Sequence, residues 1–310
     1  MTTAQKQSIA LLWNASSGWT DSEAQRESIR SILASNGSNV DVIQVVEGVD
    51  IRQAVEAAVT AGADVLAAAG GDGTVNAAAS ALLHRPTALG VIPTGTLNHL
   101  ARDLKLPIDE EKAARALISG SAVSIDAATV NGRVFVNNSV LGFFPHYRGL
   151  REKLERHGFG SSKVGRFLAV LLGLTVALVR LPKLSVSYTV NGRKRTLRTP
   201  FVLVGNNEHR MEGLALGERA TLNGGKLWVY VMRPHNRWQL LIRVIGVLLG
   251  RTPRESLFEI FSAPHVTIEC KRRRVGVGVD GEVVRLNTPL QYKSLPGALR
   301  VLVPTSNPSS

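Results

Sequence analysis

The sequence predicts an α/β protein in two parts. Residues 1–124 read as a doubly wound parallel-sheet domain, and 125–294 as a mainly antiparallel β-sandwich domain with a helical insertion. Three observations predict this. Short apolar runs alternate with amphipathic segments through the first part, the rhythm of a parallel sheet covered on both faces. From residue 123 the pattern changes to strands punctuated by Asn131-Gly132 and Asn191-Gly192, the dipeptides that two-residue hairpin loops favour. Within the first part, an apolar run at 63–69 ends in Gly70-Gly71-Asp72-Gly73-Thr74-Val75-Asn76, and an Ala-rich helix follows.

Each element follows from local pattern. Residues 9–13 form the first strand, and 21–34 a helix with Thr20 as its N-cap. A strand at 40–46 and a helix at 51–60 come next. The run at 63–69 is continuously apolar, as a strand buried on both faces must be. Its helix begins near Val75 and ends by Pro86. A strand at 88–92 leads through Pro93-Thr94-Gly95-Thr96-Leu97-Asn98 into a short helix at 100–104, and a helix at 109–119 stops at Gly120. In the second part, hairpins turn at 131–132 and 191–192, on either side of an insertion at 147–181. Strands at 201–204, 227–232, 266–270 and 275–279 follow, with an apolar helix at 238–249.

Composition narrows the function classes. The 310 residues, 44% of them hydrophobic, are enough for two modest cores. Cys270 is the single cysteine, which excludes an intrachain disulfide and suits a reducing compartment. The N-terminus lacks the apolar core of a signal peptide, so a cytoplasmic location is expected. A net charge of +13 favours an acidic partner. No nucleic-acid-binding signature accompanies it and aromatics are only 5%, so nucleic acid is not expected and an anionic membrane surface is. The most apolar stretch, residues 167–179 between Arg166 and Arg180, would span about 20 Å as a helix. That is short of the roughly 30 Å hydrocarbon core, so a packed helix is expected there.

Gly70 to Asn76 carries the chemistry. Glycines let a backbone approach phosphate closely, and the first amides of the following helix present the positive end of its dipole. Asp72 inside such a turn is costly beside phosphates unless a cation screens it, which points to a Mg²⁺-nucleotide. In a parallel sheet the Pro93–Asn98 loop, at the end of the next strand, opens into the same crevice.

These two motifs, Gly-Gly-Asp-Gly-Thr-Val-Asn at 70–76 and the run from Pro93 through Asn98 to Pro107, resemble the diacylglycerol kinase and sphingosine kinase superfamily. The likeness is to the catalytic domain of its soluble bacterial lipid kinase branch, and it extends over nearly the whole chain. It implies ATP- and Mg²⁺-dependent transfer of the γ-phosphoryl group to a lipid hydroxyl in an interdomain cleft, with diacylglycerol as the first candidate. Sphingoid bases, ceramide, a glycolipid, or a catalytically weak nucleotide-binding regulator of the same fold are the alternatives. The resemblance also implies that a C-terminal strand near 295–304 returns to the first domain. A dimer is one option for the oligomeric state, which the sequence leaves open.

Carried over residue by residue, the nucleotide contacts are Gly70, Gly71, Asp72, Gly73, Thr74, Val75 and Asn76, Thr96 and Asn98, and Asn14, Ser16, Ser17 and Gly18 after the first strand. Ala15 stands where the family has a proline, and Val46-Glu47 where it often has a threonine. The turn Asp280-Gly281-Glu282 matches the family's base-bearing segment, with either Glu282 or Asp280 as general base. Asp72 is the third catalytic carboxylate and the metal-facing one, through Mg²⁺ carried on ATP. A second-domain metal site is expected to be lost, because Asn223 and Gly224 replace the family's acidic pair and a hard cation favours charged oxygens. The basic runs Arg193-Lys194-Arg195 with Arg198, and Lys271-Arg272-Arg273-Arg274, are solvated turns or headgroup contacts.

Overall fold

The computed structural model describes residues 6–14, 23–46, 49–96, 98–142, 184–190, 193–212, 215–233 and 257–305. The expected helices at 147–181 and 238–249, the Thr20 cap, and the turn residues Asn191 and Gly192 lie outside them.

In the first part, β1 (Ser8–Asn14), α1 (Glu23–Ala34), β2 (Asn39–Val45), α2 (Ile51–Thr60), β3 (Val65–Gly70), α3 (Asp72–Ala81), β4 (Ala88–Pro93), α4 (His99–Asp103) and α5 (Glu110–Ile118) alternate as expected. The strands are parallel in the order β2-β1-β3-β4. Every residue of β3 and β4 is buried, which is why both read as unbroken apolar runs, whereas edge strand β2 buries only Val40 and Val45. The chain leaves β1 towards β2 on one side and re-enters at β3 on the other. The carboxyl ends of β1 and β3 are therefore the topological switch point of the sheet, where such folds open a crevice.

The second part begins with β5 (Ser121–Val130), β6 (Arg133–Phe135), β7 (Asn138–Gly142), β8 (Leu184–Val190), β9 (Arg193–Thr199), β10 (Phe201–Asn206), β11 (His209–Glu212) and β12 (Ala215–Arg219). It continues through β13 (Leu227–Met232), β14 (Phe258–Ala263), β15 (His265–Cys270), β16 (Arg274–Val279), β17 (Glu282–Asn287) and β18 (Leu290–Val303). One layer is antiparallel in the order β14-β13-β10-β7-β16-β17. Facing it are β5, β6, β15, β8, β9 and the first half of β18. Phe135, Leu141, Val204, Val229, Val277 and Tyr292 fill the space between, and the Tyr292 hydroxyl meets Ser139 Oγ at 3.1 Å.

β18 pairs antiparallel with β5 from Tyr292–Val130 to Val303–Ser121, with a register shift between Leu295 and Leu299. Near its end Val301 also pairs in parallel with Leu89 of β4. A two-stranded ribbon thus passes from the sandwich into the α/β part, and residue 124 lies inside β5 rather than in a linker. At the other end of β5, Asn131 and Gly132 have φ of 48° and 80°, the paired positive values of a type I′ hairpin. This turn points Gly132 and Arg133 at the first part.

Candidate active site

A cleft of about 430 Å³ lies between the two parts. Gly73, Asn76 and Ser80 of α3 and Asp50 and Arg52 at the start of α2 line one wall. Gly132, Arg133, Val279, Asp280 and Glu282 line the other. The glycine motif and the Asp-Gly-Glu turn, some two hundred residues apart in sequence, share one space.

The α3 helix starts earlier than its sequence suggests. Gly71 is the N-cap, so Asp72, Gly73 and Thr74 form the first turn. Helix-poor glycine is tolerated there because first-turn amides have no intrahelical partner. Val75 N donates to Gly71 O at 3.1 Å, which leaves the amides of 72, 73 and 74 as the helix's unbonded first donors, with no side-chain cap among the described residues. A Cβ on Gly73 would meet nothing within 4 Å, so the helix end is open to the cleft. Unpaired amides, the dipole and open space fit a bound phosphate. Val75 itself is a core residue, and Thr74 is buried with its hydroxyl accepting from Asn14 Nδ2 at 2.7 Å. That bond ties the end of β1 to the first turn of α3 at the topological switch point. Ser16, Ser17 and Gly18 lie outside the described residues.

Asp72 fastens the two glycine loops. Its carboxylate accepts from Asn98 N at 3.0 Å and His99 N at 2.8 Å, capping α4 from a neighbouring loop. Asn98, at φ 50°, closes its own turn: Oδ1 accepts from Gly95 N at 3.1 Å and Nδ2 donates to Gly95 O at 2.7 Å. Thr96 is exposed beside it. Close approach sets the apposition, since a Cβ on Gly95 would stand 2.7 Å from Gly71 Cα. Gly95→Ala should therefore cost about 1–3 kcal/mol and weaken nucleotide affinity. Melting and ATP titration check this, and wild-type values in both would remove the close-approach argument.

Asp280 and Glu282 part company. Asp280, at φ 45°, turns its carboxylate inward, where Oδ2 accepts from Val136 N at 2.7 Å and Oδ1 from Asn137 N and Asn138 N at 2.9 Å each. Burial lifts its pKa to about 6, against the three amides and Arg219, which pull it down. Glu282 stands at the lip, its side chain 60% exposed, with Oε2 accepting from Arg133 Nη2 at 2.8 Å. Asp280 is thus held by the amides of the neighbouring link, whereas Glu282, paired with Arg133, stands exposed at the lip of the cleft.

Residues 8–130 match the diacylglycerol kinase catalytic domain, and 163–303 the YegS C-terminal NAD kinase beta sandwich-like domain. A probable lipid kinase YegS-like from Pseudomonas aeruginosa (strain UCBPP-PA14) is 30% identical over 299 residues, 92% of this chain and 93% of that protein. The chain belongs to this YegS-like lipid kinase family. A further relative of the same description, from Pectobacterium atrosepticum, is 40% identical over 116 residues, 36% of this chain and 39% of its own. In fold, a crystal structure of a diacylglycerol kinase from Bacillus anthracis aligns with TM-score 0.74 at 23% identity, covering 98% of each chain. Membership makes the protein a kinase and implies ATP use.

The metal question divides. Among the described residues no group of three or more His, Cys, Asp or Glu is placed to hold an ion. At the Thr221–Gly225 loop, Asn223 is exposed and Gly224 sits against Asn207 Oδ1. Beside it, Asp126, which sequence reading missed, accepts from Gly225 N at 2.6 Å, Gly297 N at 2.9 Å and Asn207 Nδ2 at 3.1 Å. Amides here satisfy a buried carboxylate. The one signal for Asp126 was an acid inside the apolar β5. Asp103, His209 and Arg219 were missed as well. Burial and the nearby Arg219 push His209 down to about 4.

Proposed function

We propose that this kinase transfers the γ-phosphoryl group of ATP to a lipid hydroxyl, with diacylglycerol as the first acceptor to test. The observation that carries the reading is the shared cleft: open amides of α3 on one wall and the exposed Glu282 on the other. The amides of 72–74 bind phosphate oxygens, and Arg133 adds positive charge on the facing wall. Glu282 accepts the proton of the acceptor hydroxyl; because an alcohol is far less acidic than a carboxylic acid, it does so late, as the oxygen bonds to phosphorus. Mg²⁺ would arrive on the nucleotide near Asp72 and neutralise developing phosphate charge. Both Asp72 carboxylate oxygens accept from amides, and each retains a further lone pair for a cation.

Access to lipid fits a cytoplasmic protein docking on the inner face of a membrane. No helix among the described residues is long and apolar enough to cross one. Arg198 stands opposite Ser185, whose carbonyl accepts from Lys271 N, so Arg198 and the Lys271–Arg274 turn share one end of the sheet. Near an anionic surface each such cation contributes about 1 kcal/mol.

The test is a labelled-phosphate assay with Mg-ATP and vesicles of phosphatidylglycerol or phosphatidylcholine carrying diacylglycerol, sphingosine or ceramide. Label should appear on diacylglycerol and faster on the anionic vesicles. Label on sphingosine or ceramide alone would change the acceptor. ATP binding without transfer to any lipid would favour the regulator.

A further inference from the structure

We propose that Arg219 is a positioning residue that sets the Glu282 turn against the nucleotide loops, across the seam between the two parts. This rests on the reading of the cleft given above.

Arg219 ends β12 and its side chain is wholly buried, as is nearly all of Asp103. Its Nε donates to Asp103 Oδ2 at 2.8 Å and its backbone N to Asp103 Oδ1 at 3.0 Å, so both carboxylate oxygens are gripped. Asp103 is the last residue of α4, the helix whose first amides Asp72 caps. One end of the clamp is therefore a single short helix away from the phosphate loop. On the other side, Arg219 Nη1 donates to Val136 O at 2.7 Å, in the link between β6 and β7. Amides of that same link, Val136 to Asn138, hold the Asp280 carboxylate, and Glu282 follows two residues later. Asn206 Nδ2 also donates to Val136 O at 2.8 Å, and His209 Nε2 meets Asn137 Oδ1 at 2.9 Å, steadying the link from behind.

A buried ion pair is a poor adhesive, because desolvation offsets most of its attraction and packed apolar side chains would join the two parts as firmly. A guanidinium supplies something apolar contact lacks: a planar fork that fixes two acceptors in direction and distance. Here one acceptor belongs to α4 of the α/β part and the other to the β6–β7 link of the sandwich part, and each of those parts supplies one wall of the cleft. Arg219 Nη2 is buried without an acceptor among the described residues, a further sign that geometry rather than stability accounts for the side chain.

The experiment compares wild type with Arg219→Lys and Arg219→Met for four quantities: melting, ATP affinity by titration, turnover in the transfer assay, and backbone hydrogen exchange. Lysine keeps the charge and loses the fork, so this variant folds even if methionine does not. Turnover should fall about tenfold or more, with ATP affinity within about twofold of wild type. Exchange should accelerate at 136–138 and 280–282 while β1 and β3 stay protected. Wild-type exchange at those two segments in the lysine variant overturns the proposal. So does a turnover loss that only follows the fraction unfolded. If wild type itself phosphorylates no lipid, the reading of the cleft fails and exchange alone decides the positioning.

Discussion

Replacing Glu282 with glutamine should lower turnover by roughly 10²–10⁴-fold and leave ATP affinity within about twofold of wild type. Glutamine has nearly the same shape, and its carbonyl oxygen can still accept from Arg133 Nη2, so the lip of the cleft should keep its form. What it cannot do is take a proton from the acceptor hydroxyl. Nucleotide affinity should survive because the proposed phosphate donors, the amides of Asp72, Gly73 and Thr74, start α3 on the opposite wall. Initial rates with saturating lipid, alongside a direct ATP titration, separate the two effects. Unchanged turnover would take the base role from Glu282. Loss of ATP binding would instead mean that Glu282 belongs to the nucleotide site.

The α/β part was legible because its signals are local. β3 and β4 are buried on both faces and so read as continuous apolar runs, and the Asn131-Gly132 hairpin declares itself by the two residues that accept positive φ. The Gly70–Asn76 turn at the cleft was legible for the same reason: a strand, its glycines and the helix that follows are contiguous. The different settings of Asp280 and Glu282 were not, because they depend on three amides more than 140 positions away. The Asp103–Arg219 pair, 116 positions apart, leaves no local trace. Val75 and Asn98, which family pattern places among the ligand contacts, also hold the fold: the Val75 side chain packs in the core and Asn98 clasps its own loop. Pattern identifies a loop; packing decides which of its atoms face outward.

Asp280 and His209 should drive stability in opposite directions between pH 4 and 6.5, and removing either should expose the other. In the folded protein burial raises Asp280 from 3.8 to about 6, so its contribution is complete below pH 3.8 and is lost as pH rises through 6. Burial and Arg219 lower His209 from 6.5 to about 4, so its contribution is complete above pH 6.5 and is lost as pH falls through 4. Each shift amounts to about 3 kcal/mol, and in wild type the two slopes nearly cancel. Asp280→Asn should leave the His209 slope, with stability relative to wild type climbing from pH 4 to 6. His209→Gln should leave the Asp280 slope, descending over the same range. Urea denaturation at half-unit pH steps reads both, and difference curves without slope would overturn the assignment of either group. The two residues also hold the same amino acid from opposite ends, since Asp280 accepts from the Asn137 amide and His209 meets its side-chain carbonyl. Protonating either group changes the charge held against the 136–138 link. A loss of turnover below pH 6 that persists in Glu282→Asp but shrinks in Asp280→Asn would therefore trace acid inactivation to the anchor rather than to the base.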